Sequence, residues 1–219
     1  MGTGEADMDL MGSVTTHLFC RSIAAGGSGT ASPWTAMGVF EGIKASLRYQ
    51  RGSDDLGGVR VLIQGVGEVG GRLAELLHAD GAALLLSDVD AARVAQLAAR
   101  LPGTQVVAPE DAYATECDVY SPCAMGATLN ERTIPILRCS IVAGAANNQL
   151  ETPADADRLR ARGILYAPDY VINAGGIIRG VGAETLGWSE EEIDRHVAAI
   201  GETLTRIFRS SEQASLAAA

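Results

Sequence analysis

Apolar residues in this chain fall into short runs that alternate with stretches of helical spacing. Ser32-Pro33 reads as a helix N-cap and first helical residue. After it, Val39, Ile43 and Leu47 recur at intervals of four and predict a helix to about Gln50. A polar, glycine-containing turn covers 51–58. The run over 59–64 predicts a strand, and Val69, Leu73, Leu76 and Leu77 mark one face of the next helix. A second strand is expected over 82–86, then a helix capped by Asp90 and carrying Val94, Leu97 and Leu101, which Pro102-Gly103 ends. Short strands are predicted at 105–107, 118–120, 140–143 and 164–166. Thr152-Pro153 opens another helix by the same cap-and-proline logic. Ser189-Glu190-Glu191-Glu192 is a capping box before a last helix, with Ile193, Val197, Ile200, Leu204 and Ile207 along its buried side.

Strands alternating with helices imply an α/β fold with a parallel, doubly wound sheet. In such sheets ligands bind beyond the carboxyl ends of the strands, where the strand order switches. The loops after Gln64, Leu86, Tyr120 and Ala143 are therefore expected to form one site. Residues 1–31 are glycine-rich and polar, and the alanine-rich tail over 214–219 is the only low-complexity tract.

One turn carries specific chemistry. Gly65-Val66-Gly67-Glu68-Val69-Gly70 lies between a predicted strand and a predicted helix, and Asp88 closes the second strand 21 residues after Gly67. This is the Rossmann-type dinucleotide fingerprint in its proper context. The first glycine allows the tight turn, the second lets backbone approach a pyrophosphate, and the third lets helix and strand pack closely. The helix N-terminus aims free N–H groups at the phosphates. Asp88 is placed to accept hydrogen bonds from an adenosine ribose, and its charge repels a 2′-phosphate, so NAD is expected rather than NADP.

Composition narrows the class. The 219 residues are 47% hydrophobic and 20% charged, as in a soluble globular protein. A net charge of −10 counts against nucleic acid as a partner. No secretory signal opens the chain and no apolar run reaches a membrane span, so a cytoplasmic location is expected without a membrane partner. Cys20, Cys117, Cys123 and Cys139 have no metal-ligand spacing and are read as small buried side chains; no metal is expected. His17, His78 and His196 are scattered and read as structural. Lys44 is the sole lysine, so any lysine chemistry in this chain would rest on it.

Three further segments stand out. Ser121-Pro122-Cys123-Ala124-Met125-Gly126-Ala127 is small and apolar, suited to a nicotinamide ring lying against backbone. In the second, Gly144-Ala145-Ala146-Asn147-Asn148-Gln149, three consecutive side-chain amides exceed what a turn needs, and one of them could face a ligand. The third, 166–177, reads as a loop in which Asn173-Ala174-Gly175-Gly176 brings backbone close to something it must not crowd, with Ile177 as an apolar wall.

Together these segments resemble the amino-acid dehydrogenases that act on leucine, valine, phenylalanine or glutamate. The resemblance runs through 65–71, Ser87-Asp88, Pro122-Cys123-Ala124-Met125-Gly126, 144–149 and 166–176, and through Gly2-Thr3 with Asp7-Met8-Asp9 near the start. Leu186-Gly187-Trp188-Ser189 and Ile200-Gly201-Glu202-Thr203-Leu204 are most similar to the phenylalanine-specific branch. The resemblance implies oxidative deamination of an L-amino acid (phenylalanine or a branched aliphatic residue), with hydride passing to NAD, in a homo-oligomer. It places Gly65, Val66, Gly67, Glu68, Val69 and Gly70 at the pyrophosphate, and Asp88 and Val89 at the adenosine ribose. Thr35, Ala124, Met125 and Gly126 would lie at the nicotinamide, with Asn147 at both cofactor and substrate. Ile177 matches a residue that sets side-chain preference, and its bulk counts against phenylalanine.

The same resemblance implies that residues 1–31 are the end of a catalytic domain. Residues 32–219 form the NAD-binding domain, with linking helices over 32–50 and 189–208. The family's catalytic lysine and aspartate precede residue 1, Lys44 matches a non-catalytic position, and a last helical segment after about Phe208 is absent. No catalytic residue is therefore assigned, and the 219 residues alone are expected to lack deaminase activity. The alternatives are a non-catalytic NAD-binding or subunit-assembly module, and a dehydrogenase completed by a second polypeptide.

Overall fold

A computed structural model describes residues 4–217, with side chains described through Gln213. Gly2-Thr3 and the end of the alanine tail lie outside the described residues. Six strands form one parallel sheet in the order β3-β2-β1-β4-β5-β6. They are β1 (Arg60–Gln64), β2 (Ala83–Ser87), β3 (Gln105–Val106), β4 (Val119–Pro122), β5 (Ile141–Val142) and β6 (Leu165–Tyr166). The strand order reverses between β1 and β4. Gln64 pairs there with Ser87 on one side and Pro122 on the other, so the loops after these strands emerge side by side.

Both faces of the sheet are covered, which is why its central strands read as unbroken apolar runs. Val61 and Ile63 of β1, with Leu84 and Leu86 of β2, pack into a core with α2 (Ser32–Arg51), α3 (Glu68–Ala79) and α4 (Ala91–Arg100). Ile193 and Val197 of α8 (Glu190–Ala198) and Leu204 and Phe208 of α9 (Ile200–Ala217) join the same core. Leu62, Tyr120 and Val142 face the other way, toward α5 (Ala154–Ala161) and the loops around Leu129 and Leu137.

The structure corrects several local expectations. Ser32 does not cap α2: the N-cap is Ala31, and Ser32 is the first helical residue. Capping is reversed at α5, where the Asp155 carboxylate accepts the N–H and the hydroxyl of Thr152, both at 2.8 Å. The last predicted helix is two, divided at Ala199. Gly201 then lets α9 lie against α2, where an added Cβ would stand 3.1 Å from Glu41 O. Ile207 is only half-buried and Phe208 makes the deep contact. A helix α1 (Glu5–Gly12) forms in the segment read only as polar, and none of its residues is buried.

The segment read as a loop over 166–177 is largely helical, as α6 (Asp169–Ile172) and α7 (Gly175–Val181). Gly175 and Gly176 make this possible. A Cβ on Gly175 would stand 1.9 Å from Trp34 O, and one on Gly176 2.5 Å from Thr35 Oγ1. What the two glycines must not crowd is therefore the first turn of α2.

A π-helical turn, Gly182–Leu186, follows α7 and places Glu184 against the segment before α2. Its Oε1 accepts from Cys20 N–H (2.8 Å), Ser28 N–H (3.0 Å) and the Ser28 hydroxyl (2.5 Å). Arg179 reinforces the clasp: it donates to Ser28 O at 3.1 Å, pairs with Glu190 and lies 4.1 Å over the Trp34 ring.

Candidate functional site

The site begins where β1 ends. Gly65 adopts φ +98°, and an added Cβ would stand 2.7 Å from Ala124 Cβ; only glycine passes here. Gly67 is the N-cap of α3, and the first backbone bond after it runs from Gly71 N–H to Gly67 O at 2.8 Å. The N–H groups of Glu68, Val69 and Gly70 thus precede the first intrahelical bond and are free for an anion. Nothing but Arg93 Nη1, at 3.8 Å, approaches the place a Gly67 Cβ would take. Gly70 is buried beneath the turn, its missing side chain making room for Gly65 O. Val66 is buried too, and offers only backbone.

Asp88 stands at the end of β2, its Oδ2 accepting Val66 N–H at 2.7 Å and its Oδ1 accepting Asp90 N–H at 2.9 Å. The carboxylate therefore shapes the glycine turn and keeps lone pairs for a ligand. Val89, beside it, is exposed. Gly65–Val69, Asp88, Cys123 and Ala124 line one cleft of about 1440 Å³. That exceeds the roughly 300–1,000 Å³ of a drug-sized site and suits an extended ligand.

Met125, Gly126, Asn147, Thr35 and Ile177 stand outside that cleft and form a second group at the same edge of the sheet. Gly126 packs so closely on the Asn147 segment that a Cβ would meet Asn147 O at 2.6 Å. Asn147 is exposed and its Oδ1 accepts from Asn173 Nδ2 at 2.6 Å. Thr35 lies under Gly176, with its hydroxyl donating to Ala31 O at 3.1 Å. Met125 and Ile177 are more than half exposed.

The other two amides have structural work. Gln149 is fully buried and donates to Gly144 O and Ala146 O at 2.8 and 3.0 Å. Asn148, at φ +51°, turns the chain so that its carbonyl accepts Ala127 N–H at 2.6 Å. Cys123 lines the cleft, and burial pushes its thiol pKa up. Burial likewise raises Cys117 to about 12 and Cys139 to about 11. Lys44 pairs with Asp80 at 3.1 Å, at the end of α3 remote from the glycine turn. Arg72, Arg93 and Arg100 also line the cleft. They went unread because arginines on a helix face have no spacing that marks a ligand.

Among the described residues no helix is long and apolar enough to cross a membrane. The glutamate/leucine/phenylalanine/valine dehydrogenase family model matches residues 86–216. Leucine dehydrogenase of Bacillus cereus is 41% identical over 217 residues, 99% of this chain and 59% of that protein. L-tryptophan dehydrogenase of Nostoc punctiforme is 44% identical over 203 residues, 92% of this chain and 56% of that protein. The crystal structure of the L-tryptophan dehydrogenase from Nostoc punctiforme superposes with a TM-score of 0.81, covering 85% of this chain and 57% of that one. The chain thus spans less than three fifths of the length of these relatives. It belongs to the glutamate/leucine/phenylalanine/valine dehydrogenase family.

Proposed function

We propose that this chain binds NAD and supplies the cofactor-binding part of an enzyme that oxidatively deaminates a hydrophobic L-amino acid, phenylalanine or a branched aliphatic one, to its 2-oxo acid and ammonia. The observation that carries the reading is the open N-terminus of α3 beneath Gly67, with Asp88 tied to the same turn. The residues fit the cofactor: a cradle a side chain would fill, free N–H groups for a diphosphate, and a carboxylate for the ribose hydroxyls. Asp88 excludes a 2′-phosphate by charge, which favours NAD over NADP. Val89 flanks the adenosine ribose. Thr35, Ala124, Met125 and Gly126 form the floor for the nicotinamide, and Asn147 and Ile177 face the substrate side.

When bound, the nicotinamide supplies the hydride acceptor. The chain's own contribution is binding and orientation. General acid–base catalysis on the substrate nitrogen needs a group that moves protons near neutral pH, worth roughly 10²–10⁴-fold. The sole lysine is engaged with Asp80 away from the cleft, and this reading, following the family resemblance, takes that group from outside these residues. The relatives named leucine and L-tryptophan dehydrogenase support a hydrophobic substrate. An assembly of several copies is part of the same reading.

The test is titration of the 219-residue protein with NADH and NADPH by fluorescence, alongside NADH formation with L-leucine, L-valine and L-phenylalanine. Tight NADH binding without turnover supports the reading. Turnover by the chain alone refutes the external source of acid–base groups, and absence of NADH binding refutes the cofactor.

A further inference from the structure

The polarity of Asn147 is set by a backbone carbonyl two steps away. Ala145 O can only accept a hydrogen bond, so the Asn173 atom 3.2 Å from it is the amide nitrogen, a donor. That same nitrogen lies 2.6 Å from the side chain of Asn147. The Asn147 atom facing it is therefore the carboxamide oxygen. The amide-flip ambiguity of asparagine does not enter, because the chain of donors and acceptors ends on a main-chain group. Asn173 is partly buried on the turn between α6 and α7, with Gly175 seated on α2 just beyond it. Its position is thus fixed by packing, whereas Asn147 is exposed.

We infer that Asn173 is a positioning residue that holds the Asn147 carboxamide oxygen inward, so that Asn147 turns its two N–H donors, rather than its oxygen, toward the ligand. The ligand atom it meets is then a carbonyl or carboxylate oxygen and not an ammonium group. This rests on the placement of Asn147 at the nicotinamide and substrate end proposed above. Two sources could supply the oxygen: the carboxamide of the nicotinamide, or the 2-oxo acid.

The experiment measures binding of NADH, of ADP-ribose (which lacks the nicotinamide), and of a 2-oxo acid to the NADH complex. It uses wild type, Asn147→Ala, Asn173→Ala, the double variant and Asn147→Asp. Side-chain amide NMR signals are followed in the ¹⁵N-labelled chain. Asn147→Ala is expected to weaken either NADH or the 2-oxo acid about tenfold, the effect of one hydrogen bond lost from a polar site, and to leave ADP-ribose unchanged. A loss in NADH identifies the carboxamide as the source, and a loss confined to the 2-oxo acid identifies the substrate oxygen. Asn173→Ala should reproduce the same selective loss, and the double variant should be no worse than Asn147→Ala.

Additive losses, or an Asn173→Ala variant that binds like wild type, would overturn the positioning role while leaving the NAD reading intact. An Asn147→Asp variant, which has no N–H to donate, that binds NADH and the 2-oxo acid as tightly as wild type would overturn the donor polarity. If wild type binds no nucleotide, the NAD reading fails. The orientation is then decided by NMR alone: a contact between the amide protons of Asn173 and those of Asn147 would show the carboxamide reversed and sink the inference. Retention of the Asn173 amide signals on Asn147→Asp, where only an acceptor remains, would support it.

Discussion

The N–H of Val66 reaches the carboxylate of Asp88 across the end of the sheet, 2.7 Å from Oδ2. A residue at the tip of β2 thereby holds the shape of the glycine turn after β1, and the same carboxylate takes the Asp90 N–H. Asp88→Ala is expected to weaken NADH binding by at least about tenfold, because hydrogen bonds to a charged group are worth about 1.5–3 kcal/mol each. Asp88→Asn keeps an acceptor and removes the charge, so the gap between NADH and NADPH affinity should narrow. Fluorescence titration with both nucleotides measures the two effects. An unchanged NADH/NADPH ratio in Asp88→Asn would remove the charge argument.

Gly65 and Gly67 separate folding from binding. Gly65 sits at φ +98° with Ala124 Cβ in the way, so Gly65→Ala combines strain and overpacking, each about 1–3 kcal/mol. Its Tm should fall clearly. Gly67 has φ −70° and no contact nearer than 3.8 Å, so Gly67→Ala should melt like wild type and still bind NADH poorly, its methyl standing where backbone is needed. Thermal melts and NADH titrations of the two variants check both halves. A Gly67→Ala protein with full affinity would move the diphosphate elsewhere.

Glu184 makes the clasp on residues 20–28 sensitive to acid. Partial burial pushes its pKa up, but the hydrogen bonds from Ser28 Oγ, Cys20 N and Ser28 N outweigh this, leaving the carboxyl below its ordinary 4.5. A carboxyl depressed in the folded state contributes stability above its unfolded pKa and loses it as pH falls through the folded one. The clasp is therefore expected to be intact at neutral pH and to open below about pH 4.5. Hydrogen exchange of the Cys20 and Ser28 amides as a function of pH reads this directly. In Glu184→Gln, those amides should exchange faster at pH 7 and lose their acid dependence.

The parts of this molecule legible in the sequence were those whose physics is local. An apolar run ending in Gly65-Val66-Gly67, with Asp88 closing the next strand, determines a strand, a turn and a helix start within thirty positions. The α6–α7 region escaped because Gly175 and Gly176 are poor helix formers on propensity. Only the approach of Trp34 O and Thr35 Oγ1, from another element, explains why they are glycines in a helix. The Asn173–Asn147 pair and the Glu184–Ser28 clasp join residues 26 and 156 positions apart. Periodicity cannot show such pairings. The same holds for Arg93, which the fold alone brings over Gly67.

Phe208 tests whether α9 belongs to the core shared with α2 or is an appendage. Its side chain is 5% exposed, and its ring centroid lies 5.2 Å from that of Tyr49 on α2. Truncating a buried phenylalanine costs about 3–5 kcal/mol through lost transfer energy and the cavity left behind. Phe208→Ala should therefore lower the denaturant midpoint sharply. Tyr49→Phe removes only hydroxyl bonds, chiefly the one at 2.9 Å to the exposed Glu212, and should cost about 1 kcal/mol or less. Urea unfolding of both variants makes the comparison. Phe208 packs on the part of α2 remote from Thr35, so Phe208→Ala that remains folded at low temperature should bind NADH as wild type does. Equal, small losses of stability in the two variants would mean that α9 contributes little to the core, despite the burial of Phe208.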